Sequence, residues 1–244
     1  MKLLWMVGPS ELADQAAAHV AALLRRKATA AIALPTGRTP RGMYDRLVAL
    51  HRAGEFSCRD AGFFNLDEFV GFGPDDPAGY GAYLQRHFLG QVDADPVRIR
   101  LLRGDAPDLD AECRDFDRTI DAAGGLDLAI LGLGRNGHVA FNEPGGDWQS
   151  VTHRVVLSES TRSAQRQQFP SDEAVPREGL TMGMQTIRAA RAILLLVAGV
   201  GKAAGLAALR AGRRDPSWPV TGLLDHADLL VLADRACAGT GDGP

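Results

Sequence analysis

Short apolar runs alternate along this chain with segments of helical periodicity, and few folds accommodate that order. Ala30 to Leu34, Gly62 to Leu66, Val97 to Leu102, Leu126 to Leu131, Ala192 to Val197 and Leu229 to Ala233 read as strands. Arg154 to Leu157 reads as a weaker one. Between them lie helical stretches. Ser10 is the expected N-cap of the first, which places Leu12, Ala16, Val20 and Leu24 on one face and closes at Arg25-Arg26-Lys27. Thr39-Pro40 opens the second, with Pro at the first helical position. Tyr80 to Leu89, Asp108 to Ala123, Ser160 to Phe169 and Lys202 to Ala211 supply four more, and the tail Gly239 to Pro244 reads as frayed. Strands that alternate with helices, several of them continuously apolar, call for an α/β fold. It has three layers, αβα, around a doubly wound, mainly parallel sheet of Rossmann-like type.

The 244 residues show no linker, repeat or low-complexity segment, so one domain over 1–244 is expected. At 45% hydrophobic and 23% charged residues the chain can bury a full core, which excludes the disordered and fibrous classes. The 27 basic and 30 acidic residues leave a net charge of −3, which argues against a nucleic-acid partner. The apolar run Leu3 to Val7 breaks at Gly8-Pro9, too early for a signal peptide or a membrane span. Cys58, Cys113 and Cys237 are widely spaced and odd in number, as free thiols would be. A cytoplasmic protein with no membrane partner is expected.

Ligands of such sheets bind at the carboxyl ends of strands. Pro35-Thr36-Gly37-Arg38-Thr39-Pro40 joins a strand to a helix there. Its amides and hydroxyls can cradle a dianion, or simply make a capped turn. Asp67 and Glu68 end another strand; one could be a catalytic base, or either could cap the next helix. The loop Gly132 to Gly145 is the densest signal, with His138 and Glu143 among glycines. A His oriented by a carboxylate is a natural general acid/base. A structural His or a metal ligand are the competing readings, and no second His or Cys stands at ligand spacing. Lys202 sits at a helix start, where its charge opposes the dipole unless an anion binds beside it; a solvated surface Lys is the alternative.

Together these segments resemble the glucosamine-6-phosphate deaminase family, within the superfamily that includes 6-phosphogluconolactonase. The resemblance runs in order through Leu34 to Pro40, Phe64 to Gly71, Ala111 to Arg114, Gly132 to Pro144, Leu180 to Gly183 and Gly201-Lys202. The run Asn136-Gly-His-Val-Ala-Phe-Asn-Glu143-Pro144 is its most specific part. The resemblance implies conversion of glucosamine 6-phosphate and water to fructose 6-phosphate and ammonia, without metal or other cofactor. Asp67 would move a proton between C2 and C1. His138 would open the sugar ring, oriented by Glu143, with Asn136 at the position of a further member of its relay. Thr36, Gly37, Arg38, Thr39 and Lys202 would hold the phosphate.

Several positions depart from the family. Asn136 replaces an acid, so it cannot act on His138 by charge. A phosphate-binding Arg aligns with Gln167. Arg166 is the candidate substitute, one residue and about 100° of helix away. The effector-site positions of regulated members align with Gly146, His153 and Val155, which cannot rebuild a Ser/Arg/Lys anion site, so activation by N-acetylglucosamine 6-phosphate is not expected. A 6-phosphogluconolactonase, a galactosamine-6-phosphate deaminase or isomerase, and a non-catalytic sugar-phosphate sensor are the alternatives. A homo-oligomer is left open.

Overall fold

The longest apolar runs become the middle of one sheet. The computed structural model describes residues 1–238, so the expected frayed tail 239–244 lies outside the described residues. Its strands and helices in chain order are β1 (Lys2–Met6), α1 (Pro9–Arg26), β2 (Ala31–Leu34), α2 (Arg38–Arg52), β3 (Gly62–Asn65), β4 (Asp67–Phe69), α3 (Tyr80–His87), β5 (Ile99–Arg100), α4 (Leu109–Ala122), β6 (Leu128–Gly132), β7 (His153–Val156), α5 (Glu159–Gln165), β8 (Glu178–Thr181), α6 (Met184–Arg188), β9 (Ala192–Val197), α7 (Ala203–Arg210) and β10 (Leu229–Asp234). Seven strands form a parallel sheet in the order β1-β10-β9-β6-β2-β3-β5. The three-layer, doubly wound architecture expected from the alternation is therefore present.

Side chains alternate across each strand, and the two faces collect different helices. Ile32, Leu34, Ile130, Leu194 and Leu196 pack with Leu12 and Val20 of α1, Met43 and Leu47 of α2, and Leu84 of α3. Ala33, Ala129, Leu131, Leu195 and Val231 face the other way, against Phe116 of α4, Ile187 of α6, and Leu206 and Leu209 of α7. With both faces covered, the central strands have no polar side to show. That is why they read as unbroken apolar runs.

The chain departs from the sequence expectations at several ends. Gly8, not Ser10, caps α1: Pro9 occupies the first turn, and the Glu11 carboxylate accepts the Val7 amide at 2.6 Å. Helix α2 begins at Arg38, because Gly37 at φ +98° turns the chain into it, so Pro40 is its third residue rather than its first. The expected strand Val97 to Leu102 shrinks to β5. Asp95 caps a 3₁₀ turn over Pro96–Arg98 and takes Val97 out of the sheet. Lys202 ends a 3₁₀ turn, Val200–Lys202, ahead of α7. A second, antiparallel sheet, β4-β8-β7, was not anticipated. It stands over the carboxyl ends of the main sheet and carries Asp67. Among the described residues no helix is long and apolar enough to cross a membrane.

Candidate active site

Strands β9, β6, β2 and β3 are consecutive neighbours in the sheet, so the loops leaving their carboxyl ends converge. After β2 the backbone is clamped by two tyrosines. Tyr44 donates to the Pro35 carbonyl and Tyr83 to the Gly37 carbonyl, each at 2.6 Å. The first amides of α2 have no carbonyl partner within the helix and could meet an anion, while the Thr36 hydroxyl is engaged with the Tyr80 side chain. The left-handed φ of Gly37 is what permits this turn.

After β3, Asn65 is fully buried. It donates to the Asp67 carbonyl at 2.7 Å and accepts the Leu102 amide at 2.8 Å, which fixes the turn into β4. Strand alternation then separates the two acids. Glu68 accepts the amides of Phe69, Tyr80 and Gly81 at 2.8–3.0 Å and caps α3. Burial pushes its carboxyl up to about 7, against the opposing pull of those three amides. Asp67 is 7% exposed, and its carboxyl takes no hydrogen bond among the described residues. Burial, reinforced by the Glu68 charge, raises it well above the ordinary aspartate range. Of the two roles open to this pair, capping falls to Glu68, and the Asp67 carboxyl is left without a hydrogen-bond partner among the described residues.

After β6, the loop folds back on itself. Gly134 donates to the His138 carbonyl at 2.8 Å, and Ala140 adopts φ +50°, a costly conformation for a residue with a Cβ. Asn142 holds that turn by donating to the Val139 and Met182 carbonyls, both at 2.9 Å. The His138 Nδ1 then lies 3.7 Å from Glu143 Oε2 and 3.1 Å from Thr161 Oγ1. Thr161 donates to Glu143 Oε1 at 2.5 Å, and Asn136 donates to Oε2 at 2.8 Å. Burial alone would raise Glu143, but its contacts with His138, Thr161 and Asn136 prevail and hold it at about 2. It is a fixed anion beside the His. Thr161 reaches this network through the first turn of α5, which Ser158 caps.

The small sheet ties these parts together. Asp67 on β4 pairs with Thr181 on β8, and Thr181 Oγ1 accepts the Phe141 amide at 3.0 Å. Asp67 is thereby fixed relative to the His138 loop. Lys202 is half-buried after β9, in a turn pinned by the buried Asp234, whose carboxylate oxygens accept the Gly199 amide at 3.1 and 3.0 Å. Burial and the nearby charges of Arg135 and Arg38 lower the Lys202 pKa. Arg166 does not join this group: it pairs with Asp172 and donates to the Phe169 carbonyl. Gln167 is exposed. Among the described residues no group of three or more His, Cys, Asp or Glu is placed to hold a metal ion.

The family of glucosamine-6-phosphate isomerases/6-phosphogluconolactonase matches residues 9–231. The chain belongs to this family. Glucosamine-6-phosphate deaminase 1 of Bacillus subtilis is 40% identical over 238 residues, covering 98% of each chain. The glucosamine-6-phosphate deaminase of Bacillus velezensis is 42% identical over 229 residues, 94% of this chain and 95% of that one. A solved monomeric glucosamine-6-phosphate deaminase superposes with a TM-score of 0.95 at 40% identity, over 97% of this chain and 98% of that chain. A 6-phosphogluconolactonase from Thermotoga maritima shares the fold, with a TM-score of 0.74 at 19% identity, over 96% of this chain and 98% of that chain.

Gly146, His153 and Val155 line a single cavity of about 240 Å³, together with Phe141, Asp147 and Trp148. Among the described residues no Lys or Arg lines it.

Proposed function

We propose that this chain, as one domain over residues 1–244, converts glucosamine 6-phosphate and water to fructose 6-phosphate and ammonia. The observation that carries the reading is the division of labour between its acids. Asp67 has a buried carboxyl of raised pKa with no hydrogen-bond partner among the described residues, while Glu143 is a committed anion against His138. The names of the closely similar relatives support the same reaction.

The chemistry follows from those states. His138 takes the proton from the anomeric hydroxyl and returns one to the ring oxygen, which breaks the C1–O5 bond and leaves an open-chain aldehyde. Glu143 and Thr161 hold the imidazole for both transfers. Asp67 then removes the C2 proton, the electron pair forms the C1–C2 double bond, and the aldehyde oxygen takes a proton from the C2 ammonium, which gives a neutral enolamine. A carboxyl whose basicity burial has raised takes the C2 proton more readily than an ordinary aspartate and, once protonated, can return it to C1. The product of that return is a C2 iminium, to which water adds. Loss of ammonia gives the ketose. Thr36, Gly37, Arg38, Thr39 and Lys202 hold the phosphate away from the reacting carbons. A soluble sugar phosphate is the partner, and the site as proposed is built from one chain.

Ammonia release from glucosamine 6-phosphate and galactosamine 6-phosphate, run beside 6-phosphogluconolactone hydrolysis, tests the reading. Ammonia from the gluco epimer supports it. Lactone hydrolysis without ammonia, or tight binding without turnover, would overturn it.

Two outcomes follow for the periphery. Lys202→Ala should raise KM about 10–100-fold with a smaller change in kcat, because a charge-assisted bond to phosphate is worth roughly 1.5–3 kcal/mol and lies remote from C1 and C2. Equal losses with unphosphorylated glucosamine would point to a folding role. N-acetylglucosamine 6-phosphate should leave the substrate curve hyperbolic and unchanged. Among the described residues, the cavity at Gly146, His153 and Val155 offers a phosphate dianion no Lys or Arg and places Asp147 beside it. Steady-state kinetics with and without that compound decide the point, and a sigmoidal curve that it straightens would refute it.

A further inference from the structure

Between the two loops assigned to the phosphate lies a third that carries an unused cation. Strand β6 is hydrogen-bonded to β2 on one side and to β9 on the other. The loop leaving β6 therefore emerges between the Thr36–Thr39 loop and the Lys202 turn. Arg135 stands on that loop. Its side chain runs alongside Gly201: its Nε is 3.8 Å, and its Cγ 4.0 Å, from where a Cβ on Gly201 would be. Arg135 and Arg38 are exposed and Lys202 is half-buried. None of the three forms an ion pair or a side-chain hydrogen bond among the described residues. Their neighbours elsewhere behave differently: Arg100, Arg103, Arg154 and Arg166 each pair with a carboxylate.

We propose that Arg135 is a third cation on the substrate's phosphate, closing over it between Arg38 and Lys202. The assignment rests on the sugar-phosphate reading above. Like charges gathered without counterions repel one another, and they are stabilised by a ligand that neutralises them together. A phosphate monoester dianion fits, since a guanidinium can grip two of its oxygens while the ammonium contacts the third. The lowered pKa of Lys202 has Arg135 and Arg38 among its causes, as this crowding requires. Arg135 is also adjacent in sequence to Asn136, so phosphate capture and the His138 loop share one segment of backbone. A substrate lacking the phosphate would leave Arg135 free and that segment less constrained.

Arg135→Gln and Arg135→Lys separate this role from a structural one. Inorganic phosphate is titrated calorimetrically into wild type and both variants, and KM and kcat for glucosamine 6-phosphate are measured beside thermal melts. Arg135→Gln should weaken phosphate binding and raise KM by about the same factor, tenfold or more, with kcat within about threefold of wild type. Arg135→Lys should recover most of the loss. Phosphate that binds Arg135→Gln as tightly as wild type, or that fails to bind wild type, would overturn the proposal. So would a loss confined to kcat in both variants, which would mark Arg135 as a support of the His138 loop. If phosphate binding weakens as expected but wild type releases no ammonia, the cation assignment stands and the proposed reaction falls.

Discussion

Asp67→Asn is expected to lower kcat by about 10²–10⁴ while KM stays near wild type, since one positioned base is lost and no phosphate contact changes. The same substitution should stabilise the fold at alkaline pH. A carboxyl raised in the folded state above its unfolded value of about 3.9 binds more protons folded than unfolded. Its contribution to stability therefore falls as pH rises from about 4 through the folded pKa, because burial opposes the charge that the unfolded chain accepts freely. Asn carries no such charge and no longer feels Glu68. Thermal melts should show the variant nearly level with wild type at pH 4 and gaining on it as the pH rises toward 8. A variant with near wild-type kcat, or with a wild-type pH dependence of melting, would contradict the role given to this carboxyl.

Gly134→Ala is expected to abolish most activity from a position that touches no substrate. A Cβ there would fall 2.3–2.4 Å from the atoms of the His138 ring. That is too close to share, but the ring can swing away, so the chain should fold. The swing would break the approach of Nδ1 to Thr161 and Glu143. The loss in kcat should approach that of His138→Asn, about 10²–10⁴, with a melting temperature within a few degrees of wild type. A Gly134→Ala enzyme of near wild-type kcat would mean that the ring is not held where catalysis needs it.

The fold was legible where burial is two-sided and obscure where it is not. Ala192 to Val197 is apolar throughout because both of its faces meet helices, and its bounds were read without error. β1 is an edge strand, its residues mostly half-exposed, and it passed for a mere apolar prefix. β4 is three residues long and begins with two buried acids, and β8 contains Gly179, whose missing Cβ makes room for the Phe141 ring. Neither resembles a strand locally, since each depends on the other for its partner.

The site divides in the same way. Asp67, His138 and Glu143 stand out in sequence because acids and a His among glycines are unusual. Glu68 could not be told from Asp67 until pairing with β8 set which of the two turns toward α3. Thr161 is separated from Glu143 by β7 and bears a common side chain, and only the docking of α5 brings them together. Arg166 looked available for phosphate, but Asp172, six residues on, engages it through the turn at Phe169. Arg135 was one residue of a long glycine-flanked loop. Its meaning comes from strand order, which places β6 between β2 and β9.

The most direct test follows the proton. Wild type is incubated with glucosamine 6-phosphate in D₂O, ammonia and fructose 6-phosphate are quantified together, and the ketose is examined by NMR. A single carboxyl working on one face of C1 and C2 should give ammonia and ketose in equal amounts, with any deuterium that solvent exchange on the carboxyl introduces confined to one of the two hydrogens at C1. Absence of ketose, ammonia without ketose, or deuterium spread over both C1 positions would contradict a site in which Asp67 carries the proton between the two carbons.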